Sequence, residues 1–253
     1  MKISKIVVAS LFIVTVVFCG LAFAQQKPAA GAAPRQEYLG VMDIQLKPGM
    51  SLEWENYLKK DLLPAMKKSG MNQITTMKTN ELGIDDYYTM FWPMAGLAEL
   101  DGPNPLEKAL GPDGLVVLLS NVQRCVAGSR NYIHRILPNH GIAPKPGYVY
   151  KMAVVATAIV APGRTEEFEN NAKAMLGVFA KTNAKAVHMT NVGLGGNPNE
   201  YRTLVAFDSF TDLQNFLPAY WKAMSEAKLS PATGIVLHMN MQAWEDVPEL
   251  SIE

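Results

Sequence analysis

Two stretches of this chain are apolar and rich in β-branched residues, and each breaks on the same dipeptide. "YLGVMDIQL" (residues 38–46) and "YKMAVVATAIV" (residues 150–160) are followed by Pro48-Gly49 and Pro162-Gly163. A β-like run that ends in Pro-Gly reads as a strand entering a turn. Beyond each turn the apolar period changes to that of a helix. Trp54, Leu58, Leu62 and Ala65 recur at helical spacing, as do Phe168, Ala172, Met175, Leu176 and Phe179. Ser51 and Thr165 stand at the predicted N-caps, and Glu53, Glu55, Glu166, Glu167 and Glu169 lie at the positive end of the helix dipoles. Pro64 should kink the first helix and Gly70 should end it. Further strands are expected at 73–79 and 87–92, and at 186–192 and 201–207. Helices are expected at 115–127 and 211–227, the first preceded by a broken stretch containing "GPDG". Closing strands are expected at 131–137 and 235–243.

Both halves therefore read β-α-β-β-α-β, the split ferredoxin-like order. The halves also repeat in sequence. At a fixed offset of 114 positions, residues 38–100 align with 152–214 without a gap. Val41/Val155, Pro48/Pro162, Gly49/Gly163, Glu53/Glu167, Asn56/Asn170, Thr76/Thr190 and Tyr87/Tyr201 are identical, and Trp54 faces Phe168. Two long units are a duplicated domain rather than a solenoid. The units are placed at 37–142 and 148–253, with "APKPG" (143–147) as linker. A four-stranded sheet with helices on one face leaves its other face bare, and two such units in one chain can cover each other. The expected fold class is α+β, two tandem ferredoxin-like units making one barrel.

The N-terminus adds a targeting expectation. Lys2 and Lys5 precede an apolar run from Ile6 to Phe18, and Ala22-Phe23-Ala24 presents small residues at a cleavage site, so residues 1–24 read as a signal peptide. The alternative is an uncleaved anchor, since Ile6–Ala24 would span roughly 28 Å as a helix. Residues 25–36, rich in Pro, Ala and Gly, read as a flexible tether. The mature protein is then exported, to the periplasm or beyond, with no membrane segment. Lysine plus arginine and aspartate plus glutamate balance at 23 each, which leaves no basic stripe for nucleic acid. Of the chain's 2 cysteines only Cys125 would survive cleavage, which excludes a disulfide framework.

Candidate chemistry comes from polar residues inside strand patterns. In the last strand Leu237, Met239 and Met241 alternate with His238, Asn240 and Gln242. That polar row is either solvent-facing or the lining of a ligand cavity. In the first strand Asp43 shares the polar face with Val41 and Gln45. Where the copies disagree, His188 replaces Ile74 and Arg202 replaces Tyr88, which either marks a single site or reflects drift. His188 and His238 are the candidate general bases, because imidazole titrates near neutral pH. Arg202 is a candidate for an anionic ligand group, and Asp43, Trp92, Asn240 and Gln242 complete the candidate ligand set. No HxH, HExxH, phosphate loop or G-x-S-x-G motif occurs, so no metal site is expected. The 14 methionines and Trp54, Trp92, Trp221 and Trp244 suit either a core or an adaptable apolar cavity.

"LKPGMSLEWENYL" and "IVAPGRTEEFENNA", a strand ending in Pro-Gly before an acid-led helix with an aromatic in its first turn, resemble the dimeric α+β barrel superfamily. The antibiotic-biosynthesis-monooxygenase-like and NIPSNAP-like branches are the nearest in pattern. The resemblance implies a barrel completed by two units and acting as a monomer or homodimer. It also implies cofactor-independent monooxygenase-like chemistry on an apolar or aromatic small molecule. The alternatives are a non-catalytic exported binding module and a haem-binding protein. The haem-degrading branch implies a strand Asn, a strand Trp and a helix His. Trp92 could match the Trp, but Asp43 or Gln45 stands near the Asn position and no His follows in the next helix, which disfavours haem.

Overall fold

A computed structural model describes residues 37–79, 86–227 and 234–252. The leader and tether read at 1–36, most of the turn at 81–86 and residues 228–233 lie outside the described residues. The first half runs β1 (Tyr38–Leu46), α1 (Ser51–Tyr57), a π-helical turn (Leu58–Leu62), α2 (Leu63–Lys68), β2 (Thr75–Thr79), β3 (Tyr87–Met94), α3 (Pro105–Cys125) and β4 (Val126–Ile136). The second runs β5 (Met152–Val160), α4 (Thr165–Phe179), β6 (Ala186–Leu194), β7 (Glu200–Phe207), α5 (Phe210–Ala227) and β8 (Val236–Asp246). Both follow the expected β-α-β-β-α-β order.

The repeated Pro-Gly is a type II turn in each copy. Pro48 and Pro162 fix the first central position, and Gly49 and Gly163 take φ of 77° and 78°, a region that favours glycine. The turns close through Met50 N–H to Lys47 O at 3.1 Å and Arg164 N–H to Ala161 O at 3.0 Å. This corrects the expected caps. The turn ends on Met50 and Arg164, which become the N-cap residues, while Ser51 and Thr165 are already helical. Around Pro64 the structure shows a change of helical geometry. Pro64 cannot donate an amide into the ladder, and the turn before it widens to π geometry over Leu58–Leu62. Gly70, at φ 99°, ends the run. The helix expected at 115–127 is longer. It starts at Pro105, capped by Asn104 Oδ1 accepting from Leu106 N–H at 2.9 Å, and is interrupted at Gly111. Val126 and Ala127 belong to β4 instead.

The described residues gather into two compact units. One holds the residues up to Thr76, Thr89–Asn131 and Val247 onward, and the other holds Met77–Tyr88 and Tyr132–Asp246. In the first, β1 lies between β3 and β4. Trp54 is fully buried, Tyr57 donates its hydroxyl to Leu118 O at 2.9 Å, and Ile74 bridges to Ile252.

In the second unit the antiparallel order is β2-β8-β5-β7-β6-β4. One face of this sheet is covered by α4 and α5. Val187, Val205, Phe207 and Phe216 form one cluster there with Leu176, Phe179 and Tyr220, while Met189, Tyr201 and Val160 form another with Phe168 and Ala172. Phe168 meets Tyr201 with ring centroids 4.8 Å apart. Because side chains alternate along a strand, these contacts also fix which residues point to the opposite face.

Candidate functional site

The strand register sorts the candidates of the second unit without ambiguity. His188 pairs with Leu204, Leu204 with Val155, and Val155 with Gln242. In the next row Thr190 pairs with Arg202, Arg202 with Thr157, and Thr157 with Asn240. Glu200 pairs with Ile159, and Ile159 with His238. Directly opposed residues share a face, so His188, Arg202, His238, Asn240 and Gln242 all lie on the face away from α4 and α5. Five sequence candidates on three strands thus converge on one side of one sheet. They do not all meet. His188 and His238 are three strands and two rows apart, about 20 Å along the sheet at ~4.8 Å per strand and ~6.8 Å per row. They are not neighbours on the sheet.

His188 has a partner that the sequence reading did not single out. The Tyr150 hydroxyl lies 2.5 Å from His188 Nε2, with ring centroids 5.9 Å apart. Tyr148 meets Tyr150 edge-on at 5.3 Å. The segment read as a linker, 143–147, leads into both tyrosines, and Tyr150, read as the start of the strand run, lies ahead of β5, which begins at Met152. Ile142 is pinned to the edge of β6 by reciprocal backbone bonds with Val187 at 2.8 and 2.9 Å. Lys145-Pro146-Gly147-Tyr148 then makes another type II turn, with Gly147 at φ 76° and Tyr148 N–H bonded to Lys145 O at 3.0 Å.

Burial pushes the His188 imidazole below its ordinary range and pushes the Tyr150 phenol up. Burial and the nearby Asp208 carboxylate push Tyr148 up to about 12. Both shifts favour the neutral forms, and in the tautomer whose ring proton is on Nδ1 the Tyr150 hydroxyl donates to His188 Nε2.

Arg202 is buried, but beside a counter-charge. Its guanidinium is 3.5 Å from the Glu200 carboxylate and 5.1 Å from the centroid of the Tyr132 ring. Next to it, Thr190 Oγ bonds His134 Nδ1 at 2.8 Å. An anionic ligand at Arg202 would have to compete with Glu200.

The end of β8 differs from its expected alternation. Leu237, Met239 and Met241 are 65, 51 and 61% exposed, and His238 and Asn240 are exposed as well. β2 pairs only with Trp244–Asp246. Among the described residues, 236–243 therefore have a ladder partner on the β5 side alone. Gln242 accepts from Trp244 Nε1 at 3.2 Å.

In the first unit Asp43 is buried and accepts from Thr89 Oγ at 2.8 Å. Trp92 packs flat on Gly40, where an added Cβ would fall 2.0 Å from the indole. The residues do not fit the haem-degrading pattern, because α3, the helix that follows Trp92, contains no histidine.

Tyr150 could have been found by the same rule that found His188. The positions matching Tyr148 and Tyr150 in the first copy are Pro34 and Gln36, a disagreement just upstream of the aligned range.

Solved structures share this arrangement over most of the chain. A "putative monooxygenase" from Lactobacillus acidophilus NCFM superposes with a TM-score of 0.55 at 10% identity, covering 84% of this chain and 94% of that one. An anthrone oxidase-like protein gives 0.55 at 12%, covering 85% and 94%. A mutant chlorite dismutase from Candidatus Nitrospira defluvii, in complex with cyanide, gives 0.52 at 9%, covering 85% and 93%. The fold these proteins share with this chain is α+β, with an antiparallel sheet and helices. At these identities the likeness concerns the fold alone. No family model matches the chain, and no curated protein matches it.

Proposed function

We propose that this chain is an exported α+β barrel protein that binds a small apolar or aromatic molecule and oxygenates it without a cofactor, with His188 supplying the base. The observation that carries this reading is a half-buried imidazole, 2.5 Å from the Tyr150 hydroxyl, on the sheet face it shares with Arg202, Asn240 and Gln242; burial holds it below its ordinary pKa. A base kept neutral by burial suits removal of a proton from a phenol or an activated methylene. The carbanion passes an electron pair to dioxygen in two one-electron steps and forms a hydroperoxide, which loses water. One methylene and one dioxygen yield one ketone and one water, with no external reductant. The anthrone oxidase-like neighbour makes tricyclic phenolic ketones sensible first substrates. His238 is solvent-exposed, so the reading rests on His188.

Oxygen uptake with anthrone and related tricyclic phenols tests it. Wild-type protein should consume oxygen, and His188→Gln should lose on the order of 10²–10⁴-fold of that rate. If wild-type protein takes up no oxygen and no phenolic compound raises its melting temperature, the reading is wrong. The exposed row Leu237, Met239 and Met241 favours a second reading, a non-catalytic module that presents this strip to another molecule. Full oxygen uptake by a Met239→Ser, Met241→Ser variant would count against it.

A further inference from the structure

We infer that the group which meets the acidic hydrogen of a bound weak acid is the Tyr150 hydroxyl, with His188 behind it as the proton reservoir. This rests on the reading of His188 as the base and changes which atom does the work. A neutral imidazole has a single in-plane lone pair, since its other nitrogen carries a proton. With the ring proton on Nδ1 that lone pair is at Nε2, and the Tyr150 oxygen, 2.5 Å away, occupies it. A substrate cannot reach Nε2 without breaking that bond, whereas the Tyr150 oxygen still has lone pairs to offer.

The proton step then has two linked parts. The substrate O–H or C–H bond breaks toward the Tyr150 oxygen, and the Tyr150 proton moves to His188 Nε2. Tyrosine ends neutral, His188 becomes an imidazolium, and the substrate becomes a phenolate or carbanion. No oxidant or reductant is needed for this step. The class of ligand follows: a phenol, or a methylene made acidic by flanking aromatic rings and a carbonyl. Such an acid loses its proton without requiring a tyrosinate, which burial disfavours here.

Tyr150 is held for this role by three features. Gly147 permits the turn that leads into Tyr148, Tyr148 packs edge-on against the Tyr150 ring at 5.3 Å, and the Ile142–Val187 bridge anchors the segment to the strand carrying His188. None of these is a property of the duplicated sheet.

The test uses 4-nitrophenol, whose anion is yellow, with the full-length protein labelled at histidine nitrogens. In wild-type protein without ligand, Nε2 of His188 should carry no proton and show a hydrogen-bonded shift, with Nδ1 protonated. Adding 4-nitrophenol should produce the bound anion and the imidazolium of His188 together, in equal amounts. Tyr150→Phe should raise the His188 titration midpoint by about one pH unit, because a bond that favours the neutral ring is lost. It should also abolish the coupled proton transfer. His188→Gln leaves an acceptor for Tyr150 and should still bind the phenol, but without forming the anion.

Unchanged tautomer and titration in Tyr150→Phe overturn the inference, and so does proton transfer to His188 that persists in that variant. In the latter case His188 acts directly, and the proposed function survives. Coupled proton transfer with no oxygen uptake from anthrone sinks the oxygenase reading and leaves the relay standing.

Discussion

Gly141→Ala should disturb the site without touching any of its polar groups. A Cβ at Gly141 would fall 2.5 Å from the carbonyl oxygen of Val187 and 3.7 Å from the His188 Cα. An ordinary carbon–oxygen contact is roughly 3.3 Å, so one backbone must move by several tenths of an ångström. The atom it meets belongs to a strand held on its other edge by β7, from Ala186↔Ala206 to Asn191↔Tyr201. The strand is therefore the stiff partner, and the segment after Gly141 gives way. Moving it strains or breaks the bonds between Ile142 and Val187 at 2.8 and 2.9 Å. Overpacking costs about 1–3 kcal/mol and each backbone bond contributes about 1 kcal/mol, so a loss of about 2–4 kcal/mol is expected.

Urea denaturation followed by tryptophan fluorescence measures this as a lower midpoint at unchanged slope. The same variant should loosen the Tyr150–His188 bond, seen as a mixture of His188 tautomers by ¹⁵N NMR, since Tyr150 is carried on the displaced segment. Gly177→Ala is the matched control. Gly177 lies inside α4 with nothing within 4 Å of an added Cβ, and the change should stabilise by about 0.5–1 kcal/mol. A Gly141→Ala variant within 0.5 kcal/mol of wild type, with a single His188 tautomer, would show that the segment is not anchored as described.

Gly40→Ala drives its Cβ into the Trp92 indole and should cost about 1–3 kcal/mol, with a shift in Trp92 emission; unchanged emission and midpoint would refute the packing. Thr89→Val removes a donor from the buried Asp43 carboxylate and should cost about 1.5–3 kcal/mol near neutral pH, most of it recovered by Thr89→Ser. Burial lowers both His140 and His188 below the ordinary histidine value. The unfolded chain then binds protons first on acidification, so stability is fully present above about pH 6.5 and falls as pH drops below it, by at most ~1.4 kcal/mol per pH unit per histidine. Denaturation midpoints from pH 7.5 to 5 in wild type and a His140→Gln, His188→Gln variant check the sign; equal slopes would refute it.

The architecture was legible because it is written twice. Pro48-Gly49 and Pro162-Gly163 fix strand ends through a turn that glycine favours, and a period change from 2 to 3.6 beyond each gives the helix. The misplacements have local causes. Ser51 and Thr165 were one residue late as caps, because the turn closes on Met50 and Arg164. The start of α3 was missed because Gly111-Pro112 reads as a break, yet helical geometry resumes on both sides of it. Strand periodicity gives β8 an apolar row and a polar row but does not say that both are exposed over 237–240. Covering depends on how far β2 and the helices reach, which strand periodicity does not encode.

The candidate site was half legible for a related reason. His188 and Arg202 surfaced because duplication provides an internal reference: the first copy shows what the sheet needs, and departures from it need another explanation. Tyr148 and Tyr150 sit just upstream of the aligned range, beside a segment whose proline and glycine read as a linker. Yet a duplicated fold with a single proton relay must break its symmetry somewhere, and the sheet itself offers few places to do so. Thr76 and Thr190 remain identical, and each is committed to a hydrogen bond, to Leu250 O and to His134 Nδ1. The connection between copies is under no such constraint, because only one exists. A histidine on the second sheet and a tyrosine on the connection can then form a pair that the first copy lacks. On this argument His188 and Tyr150 function only as a pair. Introducing histidine at position 74 would not create a second relay, because Ile74 is bound to Ile252 and its counterpart of Tyr150 is Gln36. An Ile74→His variant should lose stability and gain no phenol-dependent imidazolium signal; a gain at position 74 would show that the sheet alone makes the site.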